Sequence, residues 1–127
     1  MTPPSSEARH LLELEDRDWA AFKLLKEAPG IHPATALFHA QRYVEKCLKA
    51  VLVSHGAVFR RTHDLEELGH LLVSTGAEPP LSPETVATLN PFAVAHRYMD
   101  QGSEHVSIDD VENMVATIER WTIPHLG

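Results

Sequence analysis

The chain has 127 residues, enough for one domain and too few for two independent cores. Its 43% hydrophobic and 23% charged residues give the balance of a globular protein and argue against an intrinsically disordered one. The formal net charge of −7 argues against sequence-independent binding of nucleic acid, which relies on a positive surface, but does not exclude a local basic patch.

The sequence predicts a cytoplasmic protein without a membrane segment. Its single cysteine, Cys47, cannot form an internal disulfide, which fits a reducing compartment. The first residues have neither the basic nor the apolar region of a signal peptide. No apolar run approaches the roughly 18 residues that a membrane-spanning helix needs.

Residues 1–6 are predicted to form a flexible tail that precedes the first helix. This helix should start at Ser5 or Ser6 and run to about Ala28, where Pro29-Gly30 stops it. Its inner face is marked by apolar residues spaced by three and four positions: Leu11, Leu14, Ala21, Phe22 and Leu25.

Asp18 lies in the middle of that apolar stripe. A carboxylate in a core costs free energy unless it meets a donor or a cation. We therefore expect Asp18 to contact Lys49 or Arg97. The alternative is that the helix is rotated slightly, so that Asp18 reaches solvent.

A second helix is predicted from about Pro33 to about Ser54, before Gly56. Its apolar arc covers more than half of the circumference, which indicates burial against more than one neighbour. The remaining polar side is narrow and carries residues four positions apart, with two cations beside them: Gln41, Glu45 and Lys49, then Arg42 and Lys46. This stripe is either a solvated face with an intrahelical Glu45–Lys49 pair or part of a binding or dimer cleft.

A short third helix is predicted over residues 63–72. Asp64 followed by Glu67 has the capping-box pattern. The residues expected to face the core are Leu65, Leu68 and Leu72.

Two further helices complete the predicted fold. The fourth starts with Ser82 as cap and Pro83 at the first position, is kinked or restarted at Asn90-Pro91, and continues through Tyr98. The last is capped by Ser107. Its inner face comprises Ile108, Val111, Val115, Ile118 and Thr122. With no convincing strand, these elements predict an all-α fold.

Three motifs in order resemble those of the HEPN family. Residues 40–50 read AQRYVEKCLKA, similar to the second-helix signature of HEPN domains. Residues 61–65 read RTHDL, like the segment that follows one loop later. Residues 97–100 read RYMD, resembling an R-Y-P-D with Met99 in place of proline.

The resemblance implies a single HEPN-like helical domain over residues 7–127, an up-and-down bundle of four to five helices that forms a homodimer. Family members are often encoded beside a minimal nucleotidyltransferase, and many are ribonuclease toxins or nucleotide-binding modules. The ribonucleases carry R-x(4–6)-H, but here seven residues separate Arg97 from His105. Arg120 and His125 match formally, but Pro124 lies between them at the C-terminus, so we interpret that match as coincidence.

The candidate site residues follow from these motifs. The ligand-binding set comprises Asp18, Gln41, Glu45, Lys49, Arg97 and Tyr98. The catalytic set, if the protein is an enzyme, comprises Arg97, His105 and His63. Arg97 would hold a phosphate, and His63 is either an acid/base group or a loop histidine that ties its loop to the bundle. Arg60 and Arg61 add positive charge just before it.

We expect neither a metal nor a cofactor, because no histidines have the spacing of a known zinc site with Cys or Glu partners. The remaining histidines include three that we expect at the surface, namely His10, His32 and His39.

The leading hypothesis is a partner module that binds a nucleotide and works with a minimal nucleotidyltransferase in a toxin–antitoxin pair. The second is a metal-independent endoribonuclease that uses Arg97 with His105 or His63. The third is a structural dimer without a ligand.

Overall fold

The computed structural model describes residues 17–93 and 107–126. Residues 17–25 are helical (α1), and the start of this helix lies outside the described residues. The other elements are α2 (Pro33–Ser54), α3 (Leu65–Thr75), α4 (Pro83–Val86), a 3₁₀ helix (Ala87–Ala93) and α5 (Ile108–His125). No strand occurs in the described ranges, which confirms the predicted all-α fold. None of the described helices is long and apolar enough to cross a membrane.

The second helix is the centre of the fold. It packs against α3, the 3₁₀ helix and α5, and aromatic contacts from Trp19 to Tyr43 join it to α1. Its predicted wide apolar face is therefore confirmed. The apolar side chains of α2 that are at most 3% exposed are Ala34, Ala36, Leu37, Ala40, Tyr43, Val44, Cys47, Leu48, Ala50, Val51 and Leu52.

Side-chain caps fix the starts of the helices. Asp64 accepts hydrogen bonds from the backbone N–H groups of Glu66 and Glu67 and so caps α3 as predicted. The reciprocal half of the capping box is not formed, because the Asp64 N–H donates to Thr62 and the Glu67 carboxylate binds Arg60. Ser82 and Ser107 cap their helices as predicted. The cap of α2 is His32, whose Nδ1 accepts from the N–H of Ala34, a role that the sequence pattern did not indicate.

The fourth helix differs from its prediction. Only four residues are α-helical, and the chain then tightens into the 3₁₀ helix that contains Pro91. Proline has no N–H to donate and its ring crowds the preceding turn, so it interrupts the α-helical ladder. The predicted continuation through Tyr98 lies outside the described residues. Asn90 fastens the 3₁₀ helix to the start of α3: its Oδ1 accepts from the Leu65 N–H at 2.9 Å and its Nδ2 donates to Asp64 at 3.0 Å.

The first helix also ends earlier than predicted, since residues 26–27 form a turn rather than a continuation to Ala28. The inner faces of the other helices are as predicted. Leu65, Leu68 and Leu72 of α3 are 0% exposed. In α5 the buried residues are Val111, Val115, Ile118 and Thr122, with Ile108 partly buried.

The start of α4 lies directly on α3 at Gly69. A Cβ atom placed on Gly69 would lie 3.0 Å from the Pro83 Cα and 3.1 Å from its Cβ. Because these atoms are the backbone and the rigid ring of one residue, Pro83, a side chain at position 69 would force the two helices slightly apart.

We predict that Gly69→Ala lowers the free energy of unfolding by about 1–3 kcal/mol, the usual cost of overpacking a close contact. Denaturant unfolding measures the change. Val73→Ala, at a position 56% exposed on the same helix, is the control and should stay within about 0.5 kcal/mol. Equal effects of the two substitutions would contradict the packing described.

Candidate functional site

The carboxylate of Glu45 is the centre of a buried polar cluster on α2. Glu45 is only 6% exposed. Its Oε1 accepts a hydrogen bond from Gln41 Nε2 at 3.1 Å and lies 2.8 Å from His63 Nδ1. Its Oε2 accepts from Lys49 Nζ at 2.9 Å. Both oxygens are thus satisfied, as a buried carboxylate requires.

The loop that carries His63 is fastened to α2 by the same cluster. Gln41, 1% exposed, donates from Nε2 to the backbone oxygen of His63 at 3.2 Å as well as to Glu45. One residue further on, the Asp64 N–H donates to Thr62 Oγ1 at 3.0 Å before α3 begins. The His63 ring is nevertheless 65% exposed. Its Nδ1 edge is held while the rest of the imidazole faces solvent.

The surroundings of Glu45 stabilise its charged form. Burial alone would raise the pKa of this carboxyl group, but hydrogen bonds from Lys49, His63 and Gln41 together with the charge of Lys49 outweigh it. The pKa of Glu45 consequently lies below its ordinary value of 4.5. A carboxylate that is ionised at neutral pH is suited to orienting the imidazole beside it.

A second buried carboxylate, Asp18, joins α1 to the neighbouring face of α2. Asp18 is 6% exposed, and its Oδ2 accepts from Lys46 Nζ at 2.8 Å. Its Oδ1 lies 2.9 Å from His39 Nδ1 and 3.6 Å from Arg42 Nε. Arg42 extends over the ring of Phe38 and remains 40% exposed at its side chain.

The predicted burial of Asp18 is confirmed, but its predicted partner Lys49 is wrong. Lys46 points toward α1, whereas Lys49 lies on the adjacent face and pairs with Glu45. The other proposed partner, Arg97, lies outside the described residues. The expectation that His39 is a surface residue is also wrong, since its side chain is 26% exposed and lies against Asp18.

A signal in the sequence could have indicated this cluster. His39, Arg42 and Lys46 follow one another at i, i+3 and i+7, which places them on one face of a helix. Three groups that can carry positive charge on one face favour an anionic partner. Asp18, the carboxylate in the apolar stripe of the neighbouring helix, could have been identified as that partner.

The structure therefore brings Gln41, Glu45, Lys49 and His63 together in one cluster and places Asp18 in a second one beside it. Three further candidates, Arg97, Tyr98 and His105, lie outside the described residues. A shallow depression of about 410 Å³ lies at the C-terminal end of α2 and contains none of these candidates. Its lining residues are Val53, Gly56, Ala57, Val58 and Phe59, all uncharged.

The two clusters carry a local excess of positive charge. Among the described residues, the ion pairs of these clusters join three cations, Lys46, Lys49 and Arg42, to the two carboxylates of Asp18 and Glu45. Arg60, expected to add to this charge, is instead neutralised by a bidentate ion pair with Glu67 at 2.6–3.0 Å. The two clusters thus hold one more cation than carboxylate, within a chain of net charge −7.

These residues define a helical bundle whose central helix, α2, carries buried charged groups. Residues 25–121 match the family model described as HEPN domain. Because this match covers most of the chain, the protein belongs to the HEPN family, whose domains commonly dimerise. No significant match was found among curated proteins or among solved structures. The family resemblance inferred from the three motifs is confirmed.

We predict that Asp18→Ala lowers the free energy of unfolding by about 3 kcal/mol or more, because it leaves Lys46 buried without its counter-ion. Denaturant unfolding tests this. Glu67→Ala, which removes the ion-pair partner of the exposed Arg60, is the matched control and should cost no more than about 1 kcal/mol. A near-neutral effect of Asp18→Ala would show that Asp18 reaches solvent.

The lowered pKa of Glu45 predicts a pH-dependent contribution to stability. A carboxyl group whose pKa is lower in the folded than in the unfolded state stabilises the fold at pH above its ordinary pKa, and this contribution is lost as the pH falls through the folded pKa. The stability difference between the wild type and Glu45→Gln should therefore shrink as the pH falls below 4.5. Chemical unfolding at several pH values measures it, and a difference that grows on acidification would contradict the assignment.

Proposed function

We propose that this chain is a HEPN homodimer that binds a nucleotide and acts as the partner module of a minimal nucleotidyltransferase. The observation that carries the proposal is the Glu45 cluster, in which α2 holds a largely exposed imidazole, His63, beside the Glu45–Lys49 ion pair. The nucleotide's phosphates would bind at His63 and at the cations of the two clusters.

Charge supports an anionic ligand. The surplus positive charge of the two clusters is carried by side chains that are partly accessible, above all Arg42 at 40% exposure. Guanidinium groups bind phosphate oxygens in a bidentate manner and are suited to this task.

Rigidity supports a binding role as well. The His63 loop is held by Gln41, by Glu45 and by the capping interactions of Asp64, so little conformational freedom is lost when a ligand contacts the imidazole. Arg97 and Tyr98 are proposed to complete the site, with the arginine on a phosphate and the tyrosine ring available for stacking on a base.

The proposed homodimer and the proposed nucleotidyltransferase partner rest on membership of the HEPN family. Sedimentation at micromolar concentration tests the dimer, and a monomer would refute it. Co-expression with a minimal nucleotidyltransferase encoded beside the gene tests the partnership through co-purification. Failure of the two purified proteins to associate would refute that part while leaving nucleotide binding untouched.

We predict that the wild type binds ATP or GTP in calorimetric titrations at low salt and that His63→Ala weakens this binding about tenfold or more, the value of a hydrogen bond to a charged group. His55→Ala, an exposed histidine at the end of α2, is the control and should bind as the wild type does. Arg97→Ala should weaken binding as well. Absence of binding by the wild type at millimolar nucleotide would refute the proposed site.

A second function, cleavage of RNA without a metal, is favoured by one specific feature. A carboxylate 2.8 Å from Nδ1 of a largely exposed imidazole is an arrangement typical of a histidine that acts as general acid or base at its other nitrogen. Arg97 would hold the scissile phosphate, and either His63 or His105 would transfer the proton.

Incubation of a mixed RNA pool with the wild type, Arg97→Ala and His63→Ala separates the two functions. Cleavage by the wild type that is lost in both variants would establish a ribonuclease. Intact RNA with all three folded proteins, together with nucleotide binding by the wild type, would leave the partner module as the function.

A further inference from the structure

A group of metal-ligating side chains lies apart from the Glu45 and Asp18 clusters, where α4 meets α3. Glu66 and His70 are one turn apart on α3, and Glu84 is the second residue of α4. One ligand atom from each, two carboxylate oxygens and an imidazole nitrogen, lie within 4.8 Å of one another. Side chains from two separate elements therefore converge on one point.

The convergence depends on the close contact of the two helices. Gly69 precedes His70 directly, and its missing side chain allows Pro83, the neighbour of Glu84, to lie on α3. Ser82 fixes the direction of α4 by accepting a hydrogen bond from the Thr85 N–H at 3.1 Å. Glu84 is thus held opposite the Glu66 and His70 pair by backbone packing.

Some acidic groups of the described residues are paired with cations, whereas these three exposed side chains are not. Glu45, Asp18, Glu67 and Glu112 each face a cation within 2.9 Å. In contrast, the Glu66, His70 and Glu84 side chains make no hydrogen bond or ion pair with any residue in ranges 17–93 and 107–126. Two carboxylates that approach each other without a described counter-ion repel, and a bound cation would remove that repulsion.

We propose that Glu66, His70 and Glu84 bind a divalent first-row transition metal of the zinc type. An imidazole nitrogen with carboxylate oxygens is a donor set that Zn²⁺ accepts and that calcium and magnesium, which take oxygen ligands, do not favour. Three protein ligands leave at least one coordination position for water or for a group from a partner. The site is independent of the proposed nucleotide site.

Calorimetric titration of the metal-free full chain with Zn²⁺ tests the proposal. One strong site is expected, with affinity lowered at least about tenfold in His70→Ala and also in Glu84→Gln, since even loss of a supporting group around a metal has an effect of that size. Zn²⁺ should raise the unfolding temperature of the wild type but not of these variants. Unchanged melting of the metal-free variants shows that their folds are intact.

His55→Ala is the control for adventitious binding, because the His55 and His125 rings lie 6.3 Å apart and offer a competing histidine pair. This variant should bind Zn²⁺ as the wild type does. Absence of Zn²⁺ binding at micromolar concentration would overturn the proposal. Binding that survives both His70→Ala and Glu84→Gln, or that is lost in His55→Ala, would overturn it as well.

Discussion

The structure depends on the requirement that the buried carboxylate of Glu45 have a donor at each oxygen. Lys49, on the next turn of α2, donates a hydrogen bond to one oxygen, and Gln41, on the preceding turn, donates one to the other. The third partner, His63, comes from the following loop and can reach Glu45 only if that loop folds back onto α2. The carboxylate therefore stabilises the ion pair, the position of the loop and the orientation of the imidazole at once.

Local features of the fold were predictable from sequence because they depend on neighbours in the chain. The bounds of α2, the caps Asp64, Ser82 and Ser107, and the inner face of α5 all follow from propensity, capping and helical spacing. The polar face of α2 was also visible as a stripe at intervals of four residues. The burial of this stripe was not predictable, because the sequence pattern is the same whether solvent or another part of the chain covers the stripe.

The prediction failed where contacts join distant parts of the chain. Asp18 and Lys46 are 28 positions apart, and the choice of Lys46 over Lys49 depends on the rotation of α1 about α2, which no local pattern specifies. The 3₁₀ helix at Pro91 likewise follows from proline geometry combined with the packing of Asn90 on α3. The resulting arrangement of charges, three cations to two carboxylates, supports the proposal of an anionic ligand.

The claim that Glu45 orients His63 can be tested most directly by ¹⁵N NMR of the histidine rings. The account predicts that Nδ1 of His63 carries a proton hydrogen-bonded to Glu45, with a signature distinct from that of exposed His55, and that Glu45→Gln removes this difference. A His63 ring that matches His55 in the wild type and does not respond to Glu45→Gln would contradict the account.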